Sequence, residues 1–277
     1  MAQLDHLSYS SVASYLACAA HWKMHYIDQI PAPTSTALVV GSAFHHTVET
    51  FVTERIEVQN QHENTKSIWD DGTILTSIWL EEWKKESTID GQPRTDIEWL
   101  LDTPESLTNE GIRLFSSPDI RQGILSIKPL VWEITGRPAI ETKVELHVPG
   151  VPMPIVGYID IITADGVPGD FKTSSRAWSD DKAADEIQTL FYLAALNQIG
   201  IQVPGWKFTH YVFVKTKTPQ FQKFTHVHNP AQLMWLFRMI QNVWRGIDAR
   251  VFPENPTSWR CSPRYCEYWN LCRGKAG

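Results

Sequence analysis

Three closely spaced strand-like runs in the second half of the chain most constrain its fold. They span Ile140 to Val148, Ile155 to Thr163 and Val167 to Thr173. Asp165-Gly166 is a strong hairpin signal between the second and third runs. The pattern therefore predicts an antiparallel meander, which needs helices or further strands to cover its apolar face.

Helical and strand-like segments flank this meander on both sides. Helices are predicted over residues 8–27, from Ser42 towards Val58, over residues 183–199 and over residues 230–250. Two further strand-like runs span Lys207 to Lys215 and Phe221 to Val227. This order predicts an α/β fold with a mixed central β-sheet flanked by helices.

The 277 residues contain no internal repeat and suit one elaborated domain. We expect N-terminal helices over residues 1–59 and an acidic helical insertion over residues 60–136. The core should then occupy residues 137–250, followed by a C-terminal segment over residues 251–277.

Charge is distributed unevenly along a chain whose formal net charge is -6. Residues 201–277 hold eleven of the 25 lysines and arginines but only three acids, so a polyanion should contact that end. No apolar run approaches the roughly 20 residues of a membrane span, and no basic segment precedes an apolar stretch at the N-terminus. We therefore expect a cytoplasmic protein without a membrane partner.

Two carboxylates and a lysine are predicted to lie close together on the meander. Asp170 and Lys172 are two apart on a predicted strand, so their side chains share a face, and Asp160 ends an apolar run on the neighbouring strand. Mg²⁺ and Mn²⁺ prefer oxygen ligands, and a nearby lysine can stabilise charge on a phosphate. The set suits metal-assisted phosphodiester hydrolysis, although an edge-strand ion pair explains Asp-x-Lys equally well.

Hairpin geometry decides whether the carboxylates share a face. A strict two-residue loop would place Asp160 opposite Phe171, on the other face from Asp170. The catalytic interpretation therefore requires an odd loop, or a bulge near Pro168-Gly169.

Two helical pairs could complete such a site. His45 and Glu49 are four residues apart, as are Gln188 and Tyr192, so each pair shares a helix face. An imidazole can complete an oxygen-rich Mn²⁺ site, and the polar ends of Gln188 and Tyr192 could bridge the lysine and a phosphate. A solvated histidine face and an amphipathic core tyrosine remain alternative interpretations.

The cysteines suggest a second site with soft ligands. Cys18 lies on the first predicted helix, whereas Cys261, Cys266 and Cys272 lie near the C-terminus. Four thiolates suit either an iron–sulfur cluster or a structural Zn²⁺. Zinc usually draws on two close pairs, which this spacing does not supply, and unligated thiols are a third possibility.

Aromatic residues and arginines alternate around the last three cysteines, as in surfaces that bind single-stranded nucleic acid. The residues expected to contact nucleic acid are Arg264, Tyr265, Tyr268, Lys215 and Lys217. Trp259 and Trp269 are instead expected to pack around the cysteine site.

The order of these motifs resembles the PD-(D/E)XK nuclease superfamily, in its RecB-type exonuclease branch. The matching motifs are Gly41-x₃-His45-x₃-Glu49, Gly157-x₂-Asp160, Gly169-Asp-Phe-Lys-Thr173 and Gln188-x₃-Tyr192. The resemblance covers about residues 8–50 and 140–272 and implies a restriction-endonuclease-like core. It implies metal ligation by His45, Asp160, Asp170 and the Phe171 backbone carbonyl. It also makes Lys172 the catalytic lysine, supported by Gln188 and Tyr192.

The cysteines resemble those of an iron–sulfur subset of these nucleases, which includes the CRISPR-associated four-cysteine exonucleases and AddB-type helicase-nucleases. That resemblance implies a [4Fe-4S] cluster bound by Cys18, Cys261, Cys266 and Cys272, with zinc as the alternative. The implied activity is Mg²⁺- or Mn²⁺-dependent DNA exonuclease action at single-stranded ends. It would serve recombination, repair, phage replication or CRISPR adaptation, and a partner protein could take part. The alternatives are an endonuclease, a non-catalytic DNA-binding subunit of a recombination complex and a zinc-stabilised interaction module.

Overall fold

A six-stranded mixed sheet forms the centre of the fold. The computed structural model describes residues 4–61, 69 and 72–274. The strands of this sheet are β1 (Leu7–Ser8), β6 (Ile140–Leu146), β7 (Ile155–Ile162), β8 (Pro168–Ser174), β9 (Lys207–Val214) and β10 (Gln220–Val227). β7 pairs antiparallel with β6 and β8, β8 pairs parallel with β9, and β9 pairs antiparallel with β10. The mixed sheet and its meander are therefore confirmed.

Helices cover both faces of the sheet. The helices that precede the meander in the sequence are α1 (Tyr9–Ala17), α2 (Ala19–Tyr26), α3 (Thr36–Gln61), α4 (Gly72–Ser87), α5 (Pro104–Phe115) and α6 (Pro118–Ser126). Those that follow it are α7 (Asp180–Ala184), α8 (Gln188–Gln198), α9 (Gln232–Asp248) and α10 (Trp269–Arg273). A single turn of 3₁₀-helix, Pro204–Trp206, precedes β9.

Alternation along the strands divides the core into two layers. Ile161, Phe171 and Phe213 pack with α3 to α6 on one face. Their strand neighbours Ile162 and Phe208 pack with α1, α2, α8 and α9 on the other. The sheet is thus buried on both sides, and a side chain at the end of a strand can lie between the helical layers.

The sequence predicted one N-terminal helix over residues 8–27, but Cys18 divides it. The Ser8 hydroxyl caps α1 by accepting a hydrogen bond from Ser11 N at 3.0 Å. Cys18 has an extended backbone (φ -166°, ψ 108°), so α2 begins afresh at Ala19. The break turns the cysteine out of both helices.

Other helix boundaries also differ from the sequence prediction. α3 begins at Thr36 rather than Ser42, since Gly41 is accommodated inside the helix. The predicted helix over residues 183–199 is split into α7 and α8.

The described part of the predicted 60–136 insertion is mainly helical and packs on the core. α4, α5 and α6 share the α3 core cluster, while residues 62–68 and 70–71 of this prediction lie outside the described residues. Two small two-stranded sheets accompany these helices. Their strands are β2 (Thr34–Ser35) with β5 (Ile97–Glu98), and β3 (Thr88–Ile89) with β4 (Gln92–Pro93).

The hairpin between β7 and β8 has the odd loop that the catalytic interpretation requires. Ile161 pairs with Gly169 and Ile162 with Pro168, which leaves residues 163–167 as a five-residue loop. Gly166 takes a φ of +78° in this loop, a conformation that favours glycine. The register of this hairpin differs by one residue from the register that a two-residue loop would give. It places Asp160 level with Asp170.

Candidate functional site

The residues that the sequence assigned to catalysis come together where α3, β7, β8 and the start of α8 meet. His45 lies on α3, Asp160 on β7, and Gln188 and Tyr192 on α8. Asp170, Phe171 and Lys172 are consecutive on β8. The contacts below link these side chains into one site.

Asp160 connects α3 with β8. Its Oδ2 lies 3.5 Å from His45 Nδ1 and accepts a hydrogen bond from Phe171 N at 2.6 Å. The strands have stopped pairing at this point, since the ladder between β7 and β8 ends at the pair Ile161 and Gly169. A side-chain carboxylate therefore replaces the backbone partner of Phe171 N.

Lys172 connects the carboxylate side of the site with α8. Its Nζ lies 2.9 Å from Asp170 Oδ1 and 2.8 Å from Asp170 Oδ2, and it donates to Gln188 Oε1 at 3.2 Å. Gln188 Nε2 in turn donates to Tyr192 OH at 2.8 Å. Since an ammonium only donates, Gln188 must present its oxygen to Lys172, and the amide orientation is fixed.

Gly157 allows α8 to approach the sheet at this site. A Cβ at this position would lie 2.6 Å from Phe191 Cε1 and 3.0 Å from Tyr192 Cε1. The absent side chain lets the first turns of α8 pack directly on β7, which holds Gln188 and Tyr192 beside Lys172.

Burial and charge perturb the acidic half of the site. Burial, together with the Asp170 carboxylate, raises the pKa of Asp160 well above its usual range. Burial also lowers the pKa of His45 to about 4, so its ring is neutral at neutral pH. A neutral imidazole is the form that can bind a metal.

The basic half of the site keeps its charge. Burial lowers the pKa of Lys172, but the Asp170 carboxylate outweighs this effect and raises it above the ordinary value. Burial raises the pKa of Tyr192. At neutral pH the site therefore presents an ammonium group and a neutral phenol.

The donor set fits a hard divalent cation. Asp170 Oδ2 is buried and accepts no hydrogen bond from a described residue, although Lys172 Nζ lies 2.8 Å away. Two buried carboxyl groups repel each other, and a cation between them would reverse that repulsion. Within the described ranges, no group of three His, Cys, Asp or Glu side chains is already arranged to hold a metal ion. Phe171 N and Lys172 hold the carboxylates instead.

Sequence reasoning did not assign Glu141 to the site. Burial, followed by the charge of Glu141, raises the pKa of Glu49 to about 8, and Glu141 also contributes to the raised pKa of Asp160. Glu141 has a φ of +46° at the start of β6. Its place in an ordinary alternating strand gave no signal of this role.

His210 is a second residue that the sequence analysis missed. It pairs with Asp170 across the parallel β8–β9 ladder and is 1% exposed. Burial lowers its pKa to about 4, and its Nδ1 has no hydrogen-bond partner among the described residues. A histidine among apolar strand residues resembles an ordinary core position, so only the register reveals its nearness to Asp170.

The cysteines that are far apart in sequence line one pocket. Cys18, Cys261, Cys266 and Cys272 are all free and partly buried there. Arg273 Nη2 donates to Cys261 Sγ at 3.6 Å. Four thiols around one pocket fit the donor set of an iron–sulfur cluster or zinc.

Burial raises the thiol pKa on the tail side of this cysteine pocket. It is the largest cause of the raised pKa of both Cys266 and Cys272, and Glu254 raises the pKa of Cys272 further. A metal binds the thiolate and would reverse this preference for the neutral thiol.

Hydrogen bonds join the C-terminal tail to the N-terminal helices around the cysteine pocket. Glu267 Oε1 lies 3.0 Å from His21 Nε2, and Tyr268 OH donates to Ile30 O at 3.0 Å. Ala20 N donates to Pro253 O at 3.2 Å. These contacts hold the two ends of the chain together without a metal.

The structure separates the proposed nucleic-acid contacts into exposed and engaged residues. Tyr265 is 52% exposed, and Arg264 and Lys217 are also exposed. Lys215 forms an ion pair with Glu110 at 2.7 Å, so its charge is already engaged. Tyr268 is 3% exposed with its hydroxyl bound to the backbone, and its ring is not available for stacking on a base.

The two tryptophans of the tail take different places. Trp269 lines the cysteine pocket, as the sequence analysis predicted. Trp259 was expected to pack there as well, but it is 73% exposed. The segment before Cys261 turns this ring to the surface, which the spacing of aromatic residues could not reveal.

None of the helices in the described part of the chain is long and apolar enough to cross a membrane.

Comparison with known proteins identifies similarity at the level of the whole chain. The model of the PD-(D/E)XK nuclease superfamily matches residues 6–273. A crystal structure described as "Putative exonuclease" from Eubacterium rectale superposes with a TM-score of 0.56 at 12% identity, covering 99% of this chain and 89% of that chain. At that identity the likeness is one of fold. No curated protein matches the sequence.

Proposed function

Because the chain belongs to the PD-(D/E)XK nuclease superfamily, a group of metal-dependent nucleases, we propose that it is an exonuclease that degrades DNA from single-stranded ends. The observation that carries the proposal is the continuous set of contacts from His45 through Asp160 and Phe171 to Asp170, Lys172 and Gln188. We further propose a cytoplasmic enzyme of recombination, repair, phage replication or CRISPR adaptation.

His45, Asp160, Asp170 and the Phe171 carbonyl would hold Mg²⁺ or Mn²⁺. When bound, the cation supplies Lewis-acid polarisation of the phosphate and a more acidic water. Binding would require Asp160 to lose the proton that its raised pKa favours. His45 is already neutral and needs no such loss.

Lys172 would stabilise the phosphate during hydrolysis. Its raised pKa keeps the ammonium charged at neutral pH, so it serves as an electrostatic donor rather than as a general base. Gln188 fixes the direction of this ammonium, and Tyr192 fixes Gln188. In the hydrolysis a bond would form between the water oxygen and phosphorus while the bond between phosphorus and the sugar oxygen breaks. One proton of the water would end on the departing sugar oxygen and the other on the new phosphate group.

Cys18, Cys261, Cys266 and Cys272 would hold a [4Fe-4S] cluster as a structural cofactor. Their common pocket supports this proposal. Protein purified without oxygen should contain about four irons per chain and absorb in the visible range. If the purified protein instead contains one equivalent of zinc and no iron, the cluster proposal is wrong and the alternative zinc site is supported.

The experiment that tests the activity compares end-labelled linear strands with circular single strands in the presence of Mn²⁺. We expect loss of linear strands only, and loss of all cleavage in Asp160→Asn. The control is Asp90→Asn, which changes an exposed turn residue and should leave the rate unchanged. Equal cleavage of circles would contradict an end-dependent enzyme, and an active Asp160→Asn would contradict the assigned site.

A further inference from the structure

Two arginine–aromatic pairs form an exposed surface beside the cysteine pocket. The tail platform consists of Trp259, Arg260, Arg264 and Tyr265. The Trp259 and Tyr265 ring centroids are 5.6 Å apart with a 69° interplanar angle. The Arg260 guanidinium lies 5.8 Å from the Trp259 centroid, and that of Arg264 lies 5.4 Å from the Tyr265 centroid.

This arrangement is unfavourable for a surface that contacts only water. Trp259 is 73% exposed and Tyr265 is 52% exposed, so most of their apolar area remains hydrated. Arg264 forms no ion pair with any residue that the structure describes. The platform therefore offers two exposed aromatic rings and the charge of Arg264, whereas Arg260 also interacts electrostatically with Glu267.

Single-stranded nucleic acid matches both properties. Unpaired bases stack on aromatic faces, and guanidinium groups pair with phosphates. Bases inside a duplex are already stacked and cannot reach such rings. We propose that the tail platform is a base-stacking surface for single-stranded DNA with Trp259 as its principal contact, a proposal that takes its substrate class from the proposed function.

The surrounding fold holds the platform in place. Trp259 and Tyr265 flank Cys261, and Tyr268 anchors the following residues through its bond to Ile30 O. Arg260 lines the cysteine pocket itself. The rings are therefore presented by a segment tied to the protein body, which lowers the entropic cost of binding.

Helix α1 relates the platform to the candidate active site. Tyr9, its first residue, stacks on Phe191 of α8 with ring centroids 6.2 Å apart, and Cys18 follows its last residue. The 9 residues of α1 span about 14 Å at 1.5 Å each. A single strand of about four stacked nucleotides has the same length as α1.

The test measures binding without cleavage, with no added divalent metal. The probes are an oligothymidylate and an abasic strand of the same length, each followed by fluorescence anisotropy. Trp259→Ala should weaken oligothymidylate binding about 5- to 150-fold and leave abasic binding unchanged, because only the base can stack. Trp259→Phe should retain most of the affinity. Arg264→Gln should weaken both strands through the phosphate.

Trp235→Ala is the matched control, because Trp235 is 42% exposed on α9, outside the platform. Iron content is measured for every variant, so that loss of the tail structure is recognised. If Trp259→Ala binds the oligothymidylate as tightly as Trp235→Ala does, the proposed stacking surface is wrong, even if DNA cleavage is normal. Trp259-dependent binding by a protein that cleaves no DNA supports the platform and overturns the nuclease proposal instead.

Discussion

At the scale of single residues, the site is organised around two buried carboxyl groups, those of Asp160 and Asp170. Asp160 accepts a hydrogen bond from Phe171 N, and Asp170 forms an ion pair with Lys172. Each contact offsets part of the free-energy cost of burying the carboxyl group. In the proposed mechanism His45 contributes to metal binding, whereas Lys172 acts on the substrate.

This difference gives a prediction for His45→Ala. Removing a neutral ligand should raise the Mn²⁺ concentration for half-maximal cleavage at least about tenfold, while saturating Mn²⁺ restores much of the rate. Lys172→Met should lose activity that Mn²⁺ cannot restore. Metal titrations of cleavage rate distinguish the two.

His46→Ala is the control for the metal titration, because His46 is the exposed neighbour of His45 and lies 3.3 Å from Glu86 instead of the site. If His45→Ala and His46→Ala need the same Mn²⁺ concentration, His45 is not a ligand.

His210 predicts a separate effect of pH on stability. Burial lowers its folded pKa to about 4 from the ordinary 6.5, so the unfolded chain binds the proton first as pH falls. The contribution of the neutral His210 ring to the free energy of unfolding is complete above about pH 6.5. It is lost progressively as the pH falls from there to about 4. His210→Gln should reduce the slope of unfolding free energy against pH in this window by up to about 1.4 kcal/mol per pH unit.

Urea denaturation at several pH values measures that slope. His147→Gln, whose imidazole is 67% exposed, serves as the control and should leave it unchanged. An identical slope in wild type and His210→Gln would show that the buried ring does not drive the acid sensitivity.

At the scale of elements, the sequence predicted the strands better than the helices. Strand alternation and the Asp165-Gly166 turn located β6, β7 and β8 to within one or two residues. The register of the hairpin could not be predicted, because it depends on a five-residue loop that the turn signal does not specify. The placement of Asp160 level with Asp170 therefore needed the structure.

Helix ends were less predictable because tertiary contacts set them. The periodicity of residues 8–27 continues through Cys18, yet the backbone there is extended and starts α2. Glu141 was missed, and Trp259 was wrongly expected to pack at the cysteine site, for a related reason. The position of Glu141 in a strand does not reveal which side chains from other elements lie near it. The spacing of the aromatic residues does not reveal that the Trp259 ring lies at the surface.

The break at Cys18 leads to a prediction about the cysteine pocket. Cys18 and Cys266 line the same pocket although they come from opposite ends of the chain. Cys18→Ser and Cys266→Ser should therefore lose iron and visible absorption to the same degree. Metal analysis and absorption spectra provide the measurement.

His25→Gln is the control for these cysteine variants. His25 lies on α2 and its Nδ1 is 3.3 Å from Tyr268 OH, but it does not line the pocket. Full iron content in Cys18→Ser would show that the remote cysteine is not a ligand.

At the scale of the whole molecule, the cysteine pocket brings the N-terminal helices into contact with the C-terminal tail. The hydrogen bonds between His21 and Glu267 and between Tyr268 and Ile30 join the segment around α2 to the C-terminal tail. They are few and partly exposed, and each contributes only about 1 kcal/mol. A bound metal centre would add its own binding energy to the same junction.

Removing the proposed metal centre should therefore loosen both ends of the chain while leaving the sheet folded. The two core layers, built on residues such as Phe171 and Phe208, do not depend on the cysteines. We expect chelation to lower the unfolding temperature by at least about 5 °C, since each kcal/mol corresponds to about 2–4 °C in a domain of this size. Trypsin should then cut first after Arg260 and Arg264, which differential scanning calorimetry combined with mass spectrometry of the fragments can establish. Cys18→Ser should resemble the chelated wild type and should not respond to the chelator. An unchanged unfolding temperature with an unchanged cleavage pattern would mean that the hydrogen bonds alone join the two ends.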